Sequence, residues 1–231
     1  QAAITTPEKQ EKAPANKLLS RGPRFRMDGE MIRDYALASS GLLSPKMGGP
    51  SVKPYQPEHV WDQVGIGNTR DYKQDTGENL YRRTVYDFWK RMAPPPNMDI
   101  FNAPAREVTC VRRDRTNTPL QALVTMNDPQ FVEAARNLAE KALACGCNDD
   151  AKTMDFIARR VLSRPLKGDE TAVVQASAKD LLTFYKSKPD DAKALIAVGE
   201  SKADAKLDPA QLAAWTMLCN QMMNLDEVLN K

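Results

Sequence analysis

The sequence has 231 residues, and its 42% of hydrophobic residues is enough to build a core in one large domain or two small ones. Its 33 basic and 30 acidic residues give a formal net charge of +3, which is too balanced to indicate nucleic-acid or membrane-surface binding. No apolar run approaches the roughly 20 residues needed to cross a bilayer. We therefore expect no membrane span and no nucleic-acid partner.

The first part of the chain is punctuated by proline and glycine. Residues 1–17 are polar and predict a linker or an extended lead-in. A first helix should begin after Asp28, whose side chain can cap it, and should end at the small residues before Gly41. The following run, SPKMGGPSVKPYQP, excludes both a helix and a central strand and predicts a long ordered loop.

Two short strands are predicted in the same irregular region. Residues 81–90, YRRTVYDFWK, are rich in aromatic and β-branched side chains, although their length also allows a helix. Residues 94–96 are consecutive prolines, which should end any regular element in a polyproline turn. Residues 107–111, EVTCV, form the second predicted strand.

Two dipeptides mark the strongest helix starts. Thr118-Pro119 and Asp128-Pro129 each place a side-chain acceptor at the N-cap and a proline at the first helical position. The second helix should bury one apolar face, because its apolar residues recur at helical spacing. They are Phe131, Val132, Ala135, Leu138, Ala139, Ala142 and Leu143. The same pattern predicts that Arg136, Glu140 and Lys141 face solvent.

The pattern stays helical almost throughout the rest of the chain, with a last helix beginning at Asp208-Pro209. The predicted fold class is mainly α. An irregular, loop-rich N-terminal unit with a short two-stranded piece should precede a bundle of about four to five helices. The predicted division is a lead-in at 1–17, a loop-rich basic and aromatic unit at 18–117, and the helical bundle at 118–231.

Several blocks carry a family resemblance, namely GPRFRMDGEMIRDYALASSGLL, GGPSVKPYQP, RTNTPLQAL, NDPQFVEAA and LDPAQLAAWTMLCNQMMNLDEVL. With them, residues 18–229 resemble the planctomycete-type domain of unknown function that closes large secreted proteins. Those proteins usually carry a planctomycete-specific cytochrome c domain nearer their N-terminus. The resemblance implies a periplasmic, cell-surface or extracellular location, and it implies no known reaction.

The resemblance also implies partners. Members of the family have a further N-terminal half to this domain, so this chain is expected to be the C-terminal part only. The expected partners are that missing N-terminal half or the cytochrome c domain of the same protein. The covalent haem signature is absent, because the single histidine, His59, follows no cysteine pair. We expect no cofactor in this chain, and haem c only on a separate domain or chain.

A cluster of arginines interleaved with aromatic residues is the most functional-looking feature of the sequence. Guanidinium groups bind carboxylate or sulfate with paired hydrogen bonds, and aromatic faces stack on sugar rings or guanidinium groups. The predicted anion- or partner-binding residues are Arg82, Arg83, Trp89, Arg91, Arg112, Arg113, Arg115 and Asn117. This pattern favours an interaction or scaffold module of a secreted, cytochrome c-associated protein, docking an anionic polysaccharide or a partner chain.

Two other interpretations stay open. The arginines could instead form ion pairs that pin loops onto the helices. The acidic residues available for such pairs are Asp87, Asp99, Glu107, Asp114 and Asp128. Alternatively, the chain could be part of an envelope enzyme acting on polysaccharide or a redox substrate, which would need two carboxylates facing each other across a cleft. The numerically available pairs are Asp99 with Asp128 and Asp114 with Glu133, and such a site requires Arg112, Arg115, Asn117 and Asp128 to converge.

The remaining reactive residues give weaker signals. His59 could be a general base, a metal ligand or a hydrogen-bonded loop residue. Cys145 and Cys147 could form a redox pair, bind a soft metal or simply mark a helix end, and the four cysteines match no zinc spacing. The GIG run at 65–67 lacks the lysine and the preceding strand of a phosphate loop. The sequence therefore predicts no metal site, and no catalytic residue can be assigned.

Overall fold

The computed structural model describes residues 6–22, 25–64, 72–146 and 149–230. These ranges are mainly helical, which confirms the predicted fold class. The helices are α1 (Pro7–Lys12), α2 (Gly29–Ser40), α3 (Pro96–Ile100), α4 (Pro119–Asn127), α5 (Pro129–Gly146), α6 (Asp150–Leu162), α7 (Gly168–Ser187), α8 (Pro189–Ile196), α9 (Pro209–Met223) and α10 (Asp226–Leu229). Short 3₁₀ turns occupy Asp62–Val64, Gly77–Tyr81 and Thr84–Tyr86.

The helix starts predicted from proline and its preceding residue are confirmed. Thr118 Oγ1 accepts a hydrogen bond from the Gln121 backbone N–H, at 3.4 Å, at the start of α4. At the start of α5, Asp128 Oδ1 accepts from the Gln130 backbone N–H at 2.9 Å. These contacts satisfy N–H groups that a helix leaves unpaired in its first turn.

Helix α5 lies at the centre of a helical bundle. It packs against α2, α6 and α9, and α9 in turn packs against α7 and α8. Leu138 of α5, Ile157 of α6 and Leu218 of α9 belong to one hydrophobic core and expose almost no surface. Burying a side chain of this size stabilises the fold by about 1.5–3 kcal/mol. The N-terminal region joins the same core, because Ile32 of α2 packs into it.

The two predicted strands are wrong. Residues 81–90 contain one 3₁₀ turn and the end of another. Among the described residues, they form β-type backbone pairs with other segments only at isolated bridges. The reason is that side chains of α2 occupy the backbone groups a strand would offer to a neighbour. Arg33 Nη2 donates to the Leu80 carbonyl at 2.8 Å, Arg33 Nη1 donates to the Arg82 carbonyl at 2.8 Å, and the Thr84 backbone N–H donates to Asp34 Oδ1 at 2.8 Å.

Residues 107–111 also form no strand. Every residue from 105 to 112 is exposed, and Val111 is 100% exposed. Within the described ranges, the apolar side chains of this segment therefore pack against no surface and its backbone meets no partner strand. A single unpaired segment cannot form a stable strand in water.

The prediction that Arg136 faces solvent is also wrong. Its side chain has no exposed surface, because residues 199–201 cover it. Arg136 Nη2 donates to the Ser201 carbonyl at 2.6 Å and to Ser201 Oγ at 2.7 Å. Lys141 is exposed as predicted, whereas Glu140 is partly buried.

Glu133, one turn before Arg136, is equally buried and receives hydrogen bonds from distant parts of the chain. Tyr55 Oη donates to Glu133 Oε2 at 2.9 Å, and Tyr81 Oη donates to Glu133 Oε1 at 2.9 Å. The Ser201 backbone N–H donates to Glu133 Oε1 at 2.7 Å. Burial and the neighbouring carboxylate raise the pKa of Tyr81 to about 12. This carboxylate thus holds three loops onto α5.

The polar lead-in contains more regular structure than the sequence indicated. Residues 1–5 lie outside the described residues, whereas Thr6 caps the short helix α1, all of whose residues are exposed. No helix among the described residues combines the length and the apolar character that a membrane span requires.

Candidate functional site

An open cleft forms where the chain approaches α4. Its volume is about 720 Å³. The lining residues are Asn102, Val111, Arg112, Arg113, Asp114, Arg115 and Thr116. We call it the arginine cleft, since it brings together three of the predicted anion-binding arginines. Asn102 Nδ2 donates to Thr116 Oγ1 at 2.6 Å, which fastens one side of the cleft to the end of α3.

Two of these arginines are held by the first turn of α2. Arg113 Nη1 lies 2.7 Å from Glu30 Oε2 and 3.6 Å from Asp28 Oδ2. Arg115 Nε lies 3.4 Å from Asp28 Oδ1, and its guanidinium lies 5.0 Å from the centre of the Phe25 ring. Since α2 is part of the core, these contacts fix the position of the segment that carries the cleft.

Arg112 differs from its two neighbours. Its side chain is exposed and forms no ion pair with any described residue. Arg113 is tethered, whereas the guanidinium of the adjacent Arg112 is free to bind a ligand in the arginine cleft. Such a group binds carboxylate or sulfate through two parallel N–H donors.

The other predicted binding residues lie elsewhere. Arg82 is almost completely buried, where it donates to the Pro50 carbonyl at 3.1 Å and stacks 3.9 Å from the centre of the Tyr86 ring. It therefore holds the preceding loop and is closed to a ligand. Arg83 is exposed, with Nε 3.6 Å from Asp34 Oδ2.

Trp89 and Arg91 are also outside the cleft lining. Trp89 Nε1 donates to the Ala105 carbonyl at 3.2 Å, and the guanidinium of Arg106 lies 4.6 Å from its ring centre. Arg91 is exposed and forms no ion pair within the described ranges. Of the eight predicted residues, the structure thus gathers Arg112, Arg113 and Arg115 in the arginine cleft.

Ion pairing of the arginine cluster does occur, but with other partners than the sequence suggested. Arg83 pairs with Asp34, and Arg113 pairs with both Asp28 and Glu30. Arg115 pairs with Asp28. Asp87, one of the five acidic residues expected to pair with the cluster, is buried 3.7 Å from Nη1 of Arg33. Burial outweighs that charge and raises the pKa of Asp87 to about 7.

The convergence required for the enzyme alternative does not occur in the described part of the chain. Arg112 and Arg115 line the arginine cleft, whereas Asp128 lines a separate cavity and Asn117 is exposed on the chain between them. Glu133, a member of one numerically available carboxylate pair, is buried and fully hydrogen-bonded.

That separate cavity is mostly apolar, and we call it the apolar pocket. It has a volume of about 600 Å³ and lies between the loop at 55–57, α3, α4 and the start of α5. Its apolar walls are formed by Tyr55, Pro57, Pro96, Ile100, Leu123, Val124 and Pro129. No local pattern predicts this pocket, because its walls come from segments far apart in the chain.

The histidine and the cysteines form no cluster in the structure. His59 is exposed, with Nδ1 2.6 Å from Asp62 Oδ2, and this hydrogen bond raises the pKa of its imidazole. Cys110 and Cys145 are exposed free thiols, and burial raises the pKa of the Cys219 thiol. Cys147 and the GIG run at 65–67 lie outside the described residues. Within the described ranges, no group of three histidine, cysteine or acidic side chains could hold a metal ion.

Asp28 and Glu30 hold the arginine cleft in place, a role that the sequence pattern does not predict. Asp28 was considered only as the cap of α2, but its side chain makes no capping hydrogen bond. Its carboxylate is used by Arg113 and Arg115 instead. Two acidic residues at the beginning of a helix indicate that ion pairs can form there. The neighbouring sequence does not indicate which arginines are the partners.

Comparison with known families gives one match. Residues 1–178 match the family described as PSD1, protein of unknown function (DUF1553). The matched region ends within α7 and includes both the arginine cleft and the apolar pocket. No curated protein matches the chain, and no solved structure matches it.

Proposed function

The chain belongs to the PSD1 family of proteins of unknown function, and we propose that it is an interaction or scaffold module whose arginine cleft docks an anionic glycan. The observation that carries this proposal is Arg112, an exposed arginine without a carboxylate partner among the described residues, at the edge of an open polar cleft. A sulfate or carboxylate on a sugar chain supplies the missing partner.

The tethering of Arg113 and Arg115 supports the same proposal. Both arginines are already fixed by Asp28 and Glu30, so the cleft needs little rearrangement to receive a ligand. A preorganised site loses less conformational entropy on binding than a flexible one. The polar side chains Asn102 and Thr116 line the same cleft and can bond to sugar hydroxyls.

The wider setting of the module rests on the sequence resemblance. In this proposal it closes a secreted protein of the planctomycete type that carries a cytochrome c domain, in the periplasm, at the cell surface or outside the cell. Haem c then resides on a separate domain or chain. The partners of the module inside the assembly are that cytochrome c domain or a further N-terminal half of the same protein.

Chromatography on an immobilised sulfated polysaccharide tests the proposal. We expect the chain to be retained at low salt and released by added salt, since exposed charge contacts are screened. Arg112→Ala should elute at clearly lower salt than the unaltered chain.

Arg159→Ala is the matched control, because it also removes one exposed arginine, from α6, where Arg159 pairs with Asp155 outside the cleft. It should elute close to the unaltered chain. Absence of retention at low salt, or equal effects of the two substitutions, would contradict glycan docking by the arginine cleft.

A further inference from the structure

The apolar pocket contains a carboxylate that no cation of the described residues contacts directly. Among the residues that line it, Asp128 is the one aspartate, glutamate, lysine, arginine or histidine within the described part of the chain. The carboxylate is partly buried and forms no ion pair with any described lysine or arginine. A desolvated carboxylate without a cation is unfavourable.

The hydrogen bonds of Asp128 come from neutral groups. Oδ1 accepts from the Gln130 backbone N–H at 2.9 Å, and Oδ2 accepts from Asn97 Nδ2 at 3.2 Å. Burial raises the pKa of this carboxyl in spite of both bonds and of the positive charge of Arg33, which acts on it without forming an ion pair. A cation in direct contact would stabilise the ionised form further.

Capping of α5 does not explain why this residue is charged. The cap uses a side-chain oxygen, and asparagine serves as an N-cap about as well as aspartate. The positive end of the helix dipole favours a negative charge here, but by a modest amount that does not replace a counter-ion. The negative charge at the wall of the apolar pocket is therefore more than the cap of α5 requires.

We propose that the apolar pocket binds an apolar organic cation, whose hydrocarbon or aromatic body fills the space between Pro57, Ile100 and Leu123 and whose ammonium group meets Asp128. The volume of about 600 Å³ is within the range of pockets for small organic molecules. The mouth carries the amides of Gln74 and Asn127, both exposed, which can bond to a further polar group of the ligand. This ligand class is opposite in charge to the one that suits the arginine cleft.

Three naphthalene probes of nearly equal size separate charge from apolar contact. They are 2-naphthylmethylammonium, 2-naphthalenemethanol and 2-naphthoate, each titrated calorimetrically into the full chain at one fixed pH. We expect the ammonium to bind roughly tenfold more tightly than the alcohol, as a hydrogen bond to a charged group allows, and the carboxylate to bind least. Equal affinities for the ammonium and the alcohol, or no binding of any probe, would overturn the proposal.

Two substitutions locate the site. Asp128→Asn keeps the cap and should abolish the preference for the ammonium while leaving the alcohol affinity unchanged. Leu123→Gln should weaken both probes, whereas Leu120→Gln, at a residue of the same helix that is similarly exposed (53% against 56%) but outside the pocket, should weaken neither. A preference that survives in Asp128→Asn, or equal effects at positions 120 and 123, would overturn the assignment. If Asp128→Asn does not fold, the affinities of the three probes for the unaltered chain and the comparison of Leu123→Gln with Leu120→Gln still test the proposal.

Discussion

Glu133 and Arg136 lie one turn apart on α5 with no more than 1% of either side chain exposed, and Nη2 of Arg136 is 3.8 Å from Oε1 of Glu133. The pair is linked more closely through Ser201, whose hydroxyl donates to Glu133 Oε1 at 2.6 Å and accepts from Arg136 Nη2 at 2.7 Å. A buried pair of this kind is costly to break, since the remaining partner would keep a buried charge with less compensation.

Removing the Glu133 carboxylate should destabilise the whole fold. Glu133→Ala leaves the buried Arg136 with Glu140, 3.4 Å away, as its remaining carboxylate among the described residues, and leaves the hydroxyls of Tyr55 and Tyr81 without this acceptor. We expect a loss of about 3–5 kcal/mol in the free energy of unfolding, measured by urea denaturation. Asp155→Ala, which breaks the exposed pair with Arg159 on α6, should change it little. Similar midpoints for the two variants would contradict this role.

Gly199 is required by the same cluster. Its φ of +92° disfavours a side chain, and an added Cβ would meet Glu133 Cγ and Oε1 at 2.7 Å. Gly48, with φ of +74° and open space around it, is the matched control for the backbone alone. Gly48→Ala should cost about 1–2 kcal/mol. Gly199→Ala should cost roughly 1–3 kcal/mol more, because of the clash, when thermal unfolding of both is compared. Equal losses would show that Glu133 moves aside.

Asp87 should make stability depend on pH. The pKa of its buried carboxyl, about 7, is raised from 3.8, so the folded state holds a proton that the unfolded state releases between these values. Stability should therefore fall as pH rises from about 4 to 7 and then level off, by on the order of 4 kcal/mol in total.

The difference in urea midpoint between the unaltered chain and Asp87→Asn isolates this contribution, since other groups titrate in both proteins. The difference should shift in favour of the asparagine variant as pH rises. A difference that stays constant over this range would mean that Arg33, 3.7 Å away, keeps Asp87 ionised.

Arginine-specific labelling should distinguish the accessible guanidinium groups from the buried ones. Arg91 and Arg112 are exposed and should react early with phenylglyoxal, whereas Arg33, Arg82 and Arg136 expose about 1% of their surface or less. Peptide mass spectrometry should find these three modified only after urea is added. Early labelling of Arg82 in the native chain would contradict its position beneath the loop at 46–50.

Local signals made the helices predictable, and distant contacts limited the rest. Thr118 and Asp128 cap α4 and α5 because a cap depends on a few adjacent residues. The composition of residues 81–90 does not exclude a strand. The strand is prevented by Arg33, about fifty residues earlier, which donates hydrogen bonds to carbonyls at the start of this segment. Arg136 was placed in solvent because helical periodicity treats a charge as exposed unless a partner is known.

The candidate site was predictable to a similar extent. The arginines around Arg112 and the aromatic residues interleaved with the cluster predict a binding surface, and the structure puts Arg112 beside an open cleft. The sequence pattern also places Arg82 among the binding residues, because sequence spacing does not show which side of a turn is buried. The apolar pocket had no local signature, since Pro57, Ile100 and Leu123 meet only in the folded chain.

The carboxylate of Glu133 has a consequence for how the molecule assembles. Its donors, Tyr55, Tyr81 and Ser201, come from segments before and after α5 in the chain, and all must arrive before this anion can leave water. A fragment limited to the helices would lack the Tyr55 and Tyr81 donors that replace its hydration. We therefore expect the loops and helices to melt in a single transition, and amide protons near α5 to exchange only through global opening.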